Sequence, residues 1–250
     1  MGKYAFLLVL LCVGFAATAQ TLPQTEVTQI GEDIQLLRLT EHTLVHRSFT
    51  TSETYGRYAS NGLLYIVDTL CIIFDTPATA KTTTRLLDYL TQEQGLTVRA
   101  LVVNHFHDDC TSGLDSVHAR GIPTYGNRQT IALCKANGKT PPQKKMGKRK
   151  TLKIGGQQIE NYYPGAAHST DNIVSYLPAE KVLFGGCMVK SLNADFGNTE
   201  DADLAKWSKT VTKVKHRYTE AEIVVPGHGY TGGQDLLDYT IQLFMPAAKQ

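Results

Sequence analysis

The sequence predicts an α/β protein built as two similar halves packed together. Three observations lead there. Short apolar, β-branched runs recur along the chain, a leucine stripe at helical spacing follows the first group of them, and each part of the chain then repeats strands, helix, strand and polar cluster. A length of 250 residues is ample for a substantial core, and 42% hydrophobic with 19% charged residues matches an ordinary folded domain. The net charge of only +2 argues against a general nucleic-acid binder.

The first 19 residues have the pattern of an export leader: Lys3 gives the positive start, Ala5 to Phe15 an apolar stretch, and Ala17-Thr18-Ala19 an A-x-A cleavage site. The mature chain is expected to start at Gln20 and to form a single domain over 20–250, without stable membrane insertion, because the apolar run is shorter than a span of about 20 residues. Cleavage removes Cys12 and leaves Cys71, Cys110, Cys134 and Cys187. Their spacing lacks a dense framework, so free thiols or ligands are expected instead of disulfides.

Strands are expected over Ile34–Leu39, Leu44–Phe49, Gly62–Val67 and Cys71–Phe74, with a polar loop from Thr50 to Asn61 carrying Tyr55 and Tyr58. Asp75-Thr76-Pro77 opens a helix whose stripe is Leu86, Leu87 and Leu90, and Gly95 stops it. After the strand Leu101–Val103, two short helices fall between Asp115 and Ala136. The basic run Lys144–Lys150 is expected to be a solvated loop, since no stacking aromatics interrupt it. Strands return at Leu152–Ile154, Gln158–Tyr163, Ile173–Leu177, Val182–Phe184 and Ile223–Val225. Helices are expected over Asp201–Tyr218, capped by Thr199, and Leu236–Met245.

Chemistry concentrates where strands end. Leu101-Val102-Val103 breaks into Asn104-His105-Phe106-His107-Asp108-Asp109-Cys110, and residues of one parity in His-x-His-x-Asp share a side. His and Asp are costly to bury unpaired, so their convergence points to a metal, with a solvated polar loop after a strand as the weaker reading of the pentad alone. Later strand ends add His168, Cys187 and His228, each beside small residues that let backbone approach a ligand. Sorted by chemistry these give a three-imidazole set, His105, His107 and His168, with a position open for water. Asp109, Cys187 and His228 form a second set, whose thiolate favours zinc over magnesium or calcium.

Asp75-Thr76-Pro77, His-x-His-x-Asp-Cys, His168 followed by Asp171-Asn172, Cys187 with Lys190, Gly197-Asn198 and Gly227-His228 together resemble the subclass B1 zinc β-lactamases of the metallo-β-lactamase superfamily, from Ile34 onward. The resemblance implies a four-layer αβ/βα sandwich holding two Zn2+ per chain. It implies hydrolysis of the β-lactam amide by a monomeric periplasmic enzyme conferring antibiotic resistance. Asp109 would orient the attacking hydroxide, and Asn198 would polarise the carbonyl and contact substrate. Lys190 would bind the substrate carboxylate, and Asp75 would support the metals from beneath. Thr50 to Ser60 matches a substrate-covering flap in which Tyr55 or Tyr58 stands where an exposed Trp or Phe is often found.

Departures narrow the resemblance. Thiolesterases, lactonases and subclass B3 enzymes carry His where this chain has Cys110. Thiolesterases and lactonases bridge their metals with Asp where it has Cys187, and subclass B2 replaces His105 by Asn. No Ser-x-x-Lys occurs, which excludes the serine β-lactamases. Gly227-His228-Gly229-Tyr230-Thr231-Gly232 mimics a dinucleotide motif, but Gln250 leaves no room for the fold it needs. The remaining alternatives are a zinc hydrolase of lactones or other esters and a non-catalytic zinc-binding module.

Overall fold

A computed structural model describes residues 26–245, so the leader lies outside the described residues. The first sheet has eight strands in sequential order: β1 (Val27–Ile30), β2 (Ile34–Arg38), β3 (Thr43–Ser52), β4 (Gly56–Val67), β5 (Leu70–Phe74), β6 (Thr97–Val102), β7 (Thr124–Asn127) and β8 (Lys144–Met146). β1 to β5 pair antiparallel, and β5 to β8 pair parallel. The second sheet runs β13 (Ile223–Pro226), β12 (Val182–Gly186), β11 (Val174–Leu177), β10 (Gln157–Tyr162), β9 (Arg149–Ile154), with only β12 and β13 parallel.

Three apolar layers hold the sheets and helices together. Between the sheets lie Leu63, Tyr65, Ile72, Phe74, Val102, Ile159, Phe184 and Val225. Residues of the opposite parity, Leu64, Cys71, Ile73 and Leu101, bury instead against α1 (Ala80–Asp88) and α3 (Leu114–Ala119). Central strands therefore appear as unbroken apolar runs, because both faces are covered. On the far side, α5 (Leu204–Arg217) and α6 (Asp235–Leu243) pack Trp207, Val211, Val214, Leu236 and Leu237 onto Leu183 and Val224. The order helices, sheet, sheet, helices is the expected four-layer αβ/βα sandwich, with halves of unequal strand number.

Several expectations need correction. Thr50 to Asn61 is no loop: β3 and β4 continue as a hairpin pairing Thr50 with Tyr58 and Ser52 with Gly56, closed by Glu53-Thr54-Tyr55 and by Gly56 at φ +62°. Its polarity reflects wet faces at the end of a long ribbon, which composition alone cannot separate from a loop. The basic run is likewise two edge strands, β8 and β9, lying at the free edges of the two sheets, and lysines there oppose edge-to-edge pairing. The cap of α5 is Asp203, whose side chain accepts from Lys206 N at 3.1 Å, and the first turn holds no acidic residue. The cap is a short polar side chain, as the sequence predicts, but lies four residues beyond Thr199. β1 and β7 are strands beyond those the sequence predicts. α1 gives way to a π-helical turn, Tyr89–Glu93. A one-turn helix, α2 (Asp108–Thr111), follows the His-x-His motif, and α4 (Arg128–Ala136) completes the elements.

Candidate metal centre

The metal-type residues collect at the carboxyl ends of parallel strand pairs. β6 ends at Val102 and delivers His105, His107 and Asp109. Gly186 of β12 and Pro226 of β13 are register partners, so Cys187 and His228 emerge side by side. His168 comes from the loop before β11, anchored where Asp203 N donates to Ala167 O at 2.8 Å. The crevice beyond the carboxyl ends of parallel strands is where α/β sheets commonly take ligands.

All six expected ligands meet there. His105 Nε2 lies 2.9 Å from His107 Nδ1, which lies 3.1 Å from His168 Nε2. Cys187 Sγ is 3.1 Å from Asp109 Oδ2 and 3.4 Å from His228 Nε2, and Asp109 Oδ2 is 3.3 Å from His228 Nε2. Ligand atoms fall within 4.8 Å of one another in three groups: His105/His107/Asp109, His105/His168/Cys187 and Asp109/Cys187/His228. The groups share members, so the two chemical sets touch.

The outer contacts assign the tautomers. His107 Nε2 sits 2.8 Å from Asp201 Oδ2 and donates to that carboxylate, so Nδ1 carries the lone pair. His105 Nδ1 faces Cys110 Sγ at 3.1 Å, a contact in which either atom can be the donor. The Nδ1 lone pair of His107 faces two ring nitrogens, 2.9 and 3.1 Å away, and a cation held among the three satisfies them together, so this donor set fits a metal ion. His228 Nδ1 donates to Ala59 O at 2.8 Å, which turns Nε2 toward Asp109 and Cys187.

Electrostatics agree. Burial pushes His105 down to about 3 and His168 well below its ordinary value, so both rings are neutral, as ligands must be. For His228 burial pulls downward, but the hydrogen bond and charge of Asp109 outweigh it and raise the ring. Burial alone would raise the Asp109 carboxyl, yet His228, His105 and Cys187 hold it well below the usual range. Burial and then Asp109 push the Cys187 thiol well up, a direction that a bound cation reverses.

Cys110 stands behind His105 and belongs to none of the three ligand groups. Asp75 is also beneath the site. Its Oδ1 accepts from Asn104 N at 2.6 Å, its own N donates to Val102 O at 2.9 Å, and its φ is +60°. Burial raises its carboxyl well above the ordinary range. The four described cysteines are free and buried, as expected.

The centre forms the floor of a cleft of about 880 Å³ whose walls include Tyr55, Tyr58, Lys190 and Asn198. Tyr58 lies 6.1 Å from the His228 ring centroid, and Tyr55 lies edge-on to Tyr58 at 6.3 Å while 56% exposed. Lys190 is anchored through its backbone N to Thr240 Oγ1 at 2.9 Å, and its ammonium lies 5.3 Å from the Trp207 ring centroid. Asn198 Oδ1 accepts from Glu200 N at 3.0 Å, and its amide N–H groups have no hydrogen-bond partner among the described residues.

A family model described as the metallo-beta-lactamase superfamily matches residues 55–228. A metallo-beta-lactamase type 2 of Bacteroides fragilis is 35% identical over 96% of this chain and 95% of its own length. The chain belongs to the metallo-beta-lactamase superfamily. Two solved structures share its fold at TM-score 0.82. One is DIM-1 metallo-beta-lactamase exposed to ceftazidime, 34% identical over 85% of this chain and 97% of that one. The other is a metallo-beta-lactamase from Pontibacter korlensis, 35% identical over 86% of this chain and 100% of that one. These likenesses bear out the family resemblance carried by the motifs, and membership implies zinc.

Sequence reasoning missed two residues of this superfamily site. Asp201 was assigned to a helix but lies in the loop that returns to His107. Arg47 of β3 ties down the His228 turn: its Nε donates to Asn61 Oδ1 at 3.1 Å and its Nη2 to Gly229 O at 3.0 Å. Asn61 Nδ2 adds bonds to Pro226 O and Gly229 O, both at 3.0 Å. Neither residue carries a spacing signal; each is recognisable only once the sheets are stacked.

Proposed function

We propose that this protein is a zinc-dependent β-lactamase, hydrolysing the amide bond of penicillins, cephalosporins and carbapenems after export to the periplasm. The observation that carries the reading is the convergence of the ring nitrogens of His105, His107 and His168 beside Asp109, Cys187 and His228 in one cleft. His105, His107 and His168 would hold one zinc, and Asp109, Cys187 and His228 a second. Zinc at such sites lowers the pKa of bound water to about 7 and polarises a carbonyl.

The chain's own residues supply positioning. Asp109, kept ionised by His228, accepts a hydrogen bond from the attacking water and aims it. The Asn198 amide donates to the lactam carbonyl oxygen as charge grows there. Lys190 pairs with the carboxylate on the lactam's fused ring. Burial lowers its pKa, opposed by Cys187, Asp195 and Asp109, so its half-buried charge gains from an anionic partner. Tyr55 and Tyr58 form the hairpin wall over bound substrate.

The domain is taken as 20–250 and monomeric, with 1–19 as the leader. Among the described residues no helix is long and apolar enough to cross a membrane. The test is turnover of a carbapenem or a chromogenic cephalosporin by the purified mature chain. Activity lost to chelator and restored by zinc is expected. No turnover at two bound zincs per chain overturns the reading, and turnover of lactones alone replaces it with an ester hydrolase.

A further inference from the structure

Beside Lys190, and Lys139 paired with Asp108, the cleft holds a cation that the hydrolytic reading leaves without a task. Arg47 lies half-buried in the cleft wall and makes no ion pair among the described residues. Two of its five N–H groups are committed, one to Asn61 and one to Gly229. On the cleft side its neighbour is the face of Tyr230, 5.5 Å from the guanidinium and 71% exposed. A planar donor fork with N–H groups to spare, beside an aromatic surface in a partly water-excluded cleft, matches a carboxylate.

Position specifies which carboxylate. Lys190 follows β12 of the second sheet, whereas Arg47 lies on β3 of the first, bound to the turn just after His228. The two cations thus come from opposite sheets. In a β-lactam, the ring carboxylate is attached beside the leaving nitrogen. The acylamino side chain is attached beside the carbonyl carbon, at the other end of the molecule. With the ring carboxylate on Lys190, the acylamino group lies at the far end of the molecule from that cation, and Arg47 is a cleft cation supplied by the other sheet.

Resting on the β-lactamase reading, we propose that Arg47 forms a second carboxylate subsite that selects β-lactams bearing an extra anionic group on the acylamino side chain. The probes are benzylpenicillin and carbenicillin, which differ by one carboxylate on that side chain. The readout is the ratio of their kcat/KM values, carbenicillin over benzylpenicillin. Arg47→Gln lowers the ratio about tenfold, chiefly through KM for carbenicillin, as expected for loss of one charge-assisted pair open to solvent.

A merely structural arginine, holding the Gly229 turn, would depress both substrates alike. An unchanged ratio therefore overturns the proposal. If the wild-type chain hydrolyses neither penicillin with both zincs bound, the β-lactamase reading falls and the subsite with it; turnover of both with an unchanged ratio removes the subsite alone. Should Arg47→Gln fail to fold, the wild-type ratio is measured against added salt. Screening should lower it, a flat ratio overturns the proposal, and Arg47→Lys should keep part of the preference.

Discussion

The Asp201 carboxylate holds His107 by its outer ring nitrogen, Nε2, at 2.8 Å, and so decides which nitrogen faces the metal site. With Nε2 protonated, Nδ1 presents its lone pair toward His105 and His168. Removing the carboxylate frees the ring to rotate or change tautomer. Asp201→Ala should weaken zinc at the three-histidine site by about tenfold, the low end for such partners, because Asp201 is 47% exposed and water can replace it. Competition with a chelating dye measures this, and an unaltered affinity contradicts the assignment.

The two cysteines near the centre differ in what they face. Cys187 Sγ points at Asp109 and His228, whereas Cys110 Sγ meets the outer nitrogen of His105. Cys187→Ser should cut zinc bound per chain from two to one and abolish the thiolate-to-metal absorption of the cobalt-substituted protein. Cys110→Ser should keep both metals and the absorption band. Equal loss in the two variants would make Cys110 a ligand as well.

The ligands were legible in the sequence because they violate packing logic: His, Asp and Cys at the ends of apolar strands, flanked by glycine, have no simple reason to be there. The hairpin was not legible. Thr50, Thr51, Arg57 and Tyr58 extend a ribbon wetted on both faces, so no alternation of apolar and polar residues records their pairing. Lys144 to Lys150 failed for a related reason, since edge strands tolerate charge on every residue. Thr199 and Asp203 are both good caps, and only the docking of Asp203 N on Ala167 O selects between them. Asp201 and Arg47 act across sheets or loops, where no local pattern reports them.

A buried histidine away from the metals should set an acid limit on stability. His46 lies in the core with Nε2 against Phe74 O at 3.1 Å, and burial lowers its pKa from 6.5 to about 4. Between those values the unfolded chain binds the proton and the folded chain does not. Stability therefore falls as pH drops from 6.5 toward about 4 and stops falling below it. The full effect is roughly 3 kcal/mol, from about 1.4 kcal/mol per unit. Urea unfolding of chelator-treated protein at about pH 7 and about pH 4.5 should show His46→Gln losing less stability than wild type by roughly 2 kcal/mol, most of the full effect, since pH 4.5 stops short of the folded value. The same loss in both proteins assigns the acid sensitivity to other groups.

Gly227 precedes His228 and leaves no room for a side chain. A Cβ there would lie 2.6 Å from Cys187 N and 2.9 Å from Cys187 Cα, and would collide with Cys187 Sγ itself. Gly227 O also accepts from Asn61 N at 2.8 Å, which fixes the turn to the first sheet. The obstacle is backbone, so a rotamer change cannot relieve it; either the turn or the Cys187 segment must move. Gly227→Ala should therefore separate Cys187 from His228, whose ligand atoms are now 3.4 Å apart, and cost about 1–3 kcal/mol of stability. The second metal should be lost while the three-histidine site, supplied by the β6 end and the loop before β11, keeps its own. Zinc counting on the folded variant checks this: one ion per chain is expected, and two ions with unaltered affinity would show that the turn yields without disturbing Cys187.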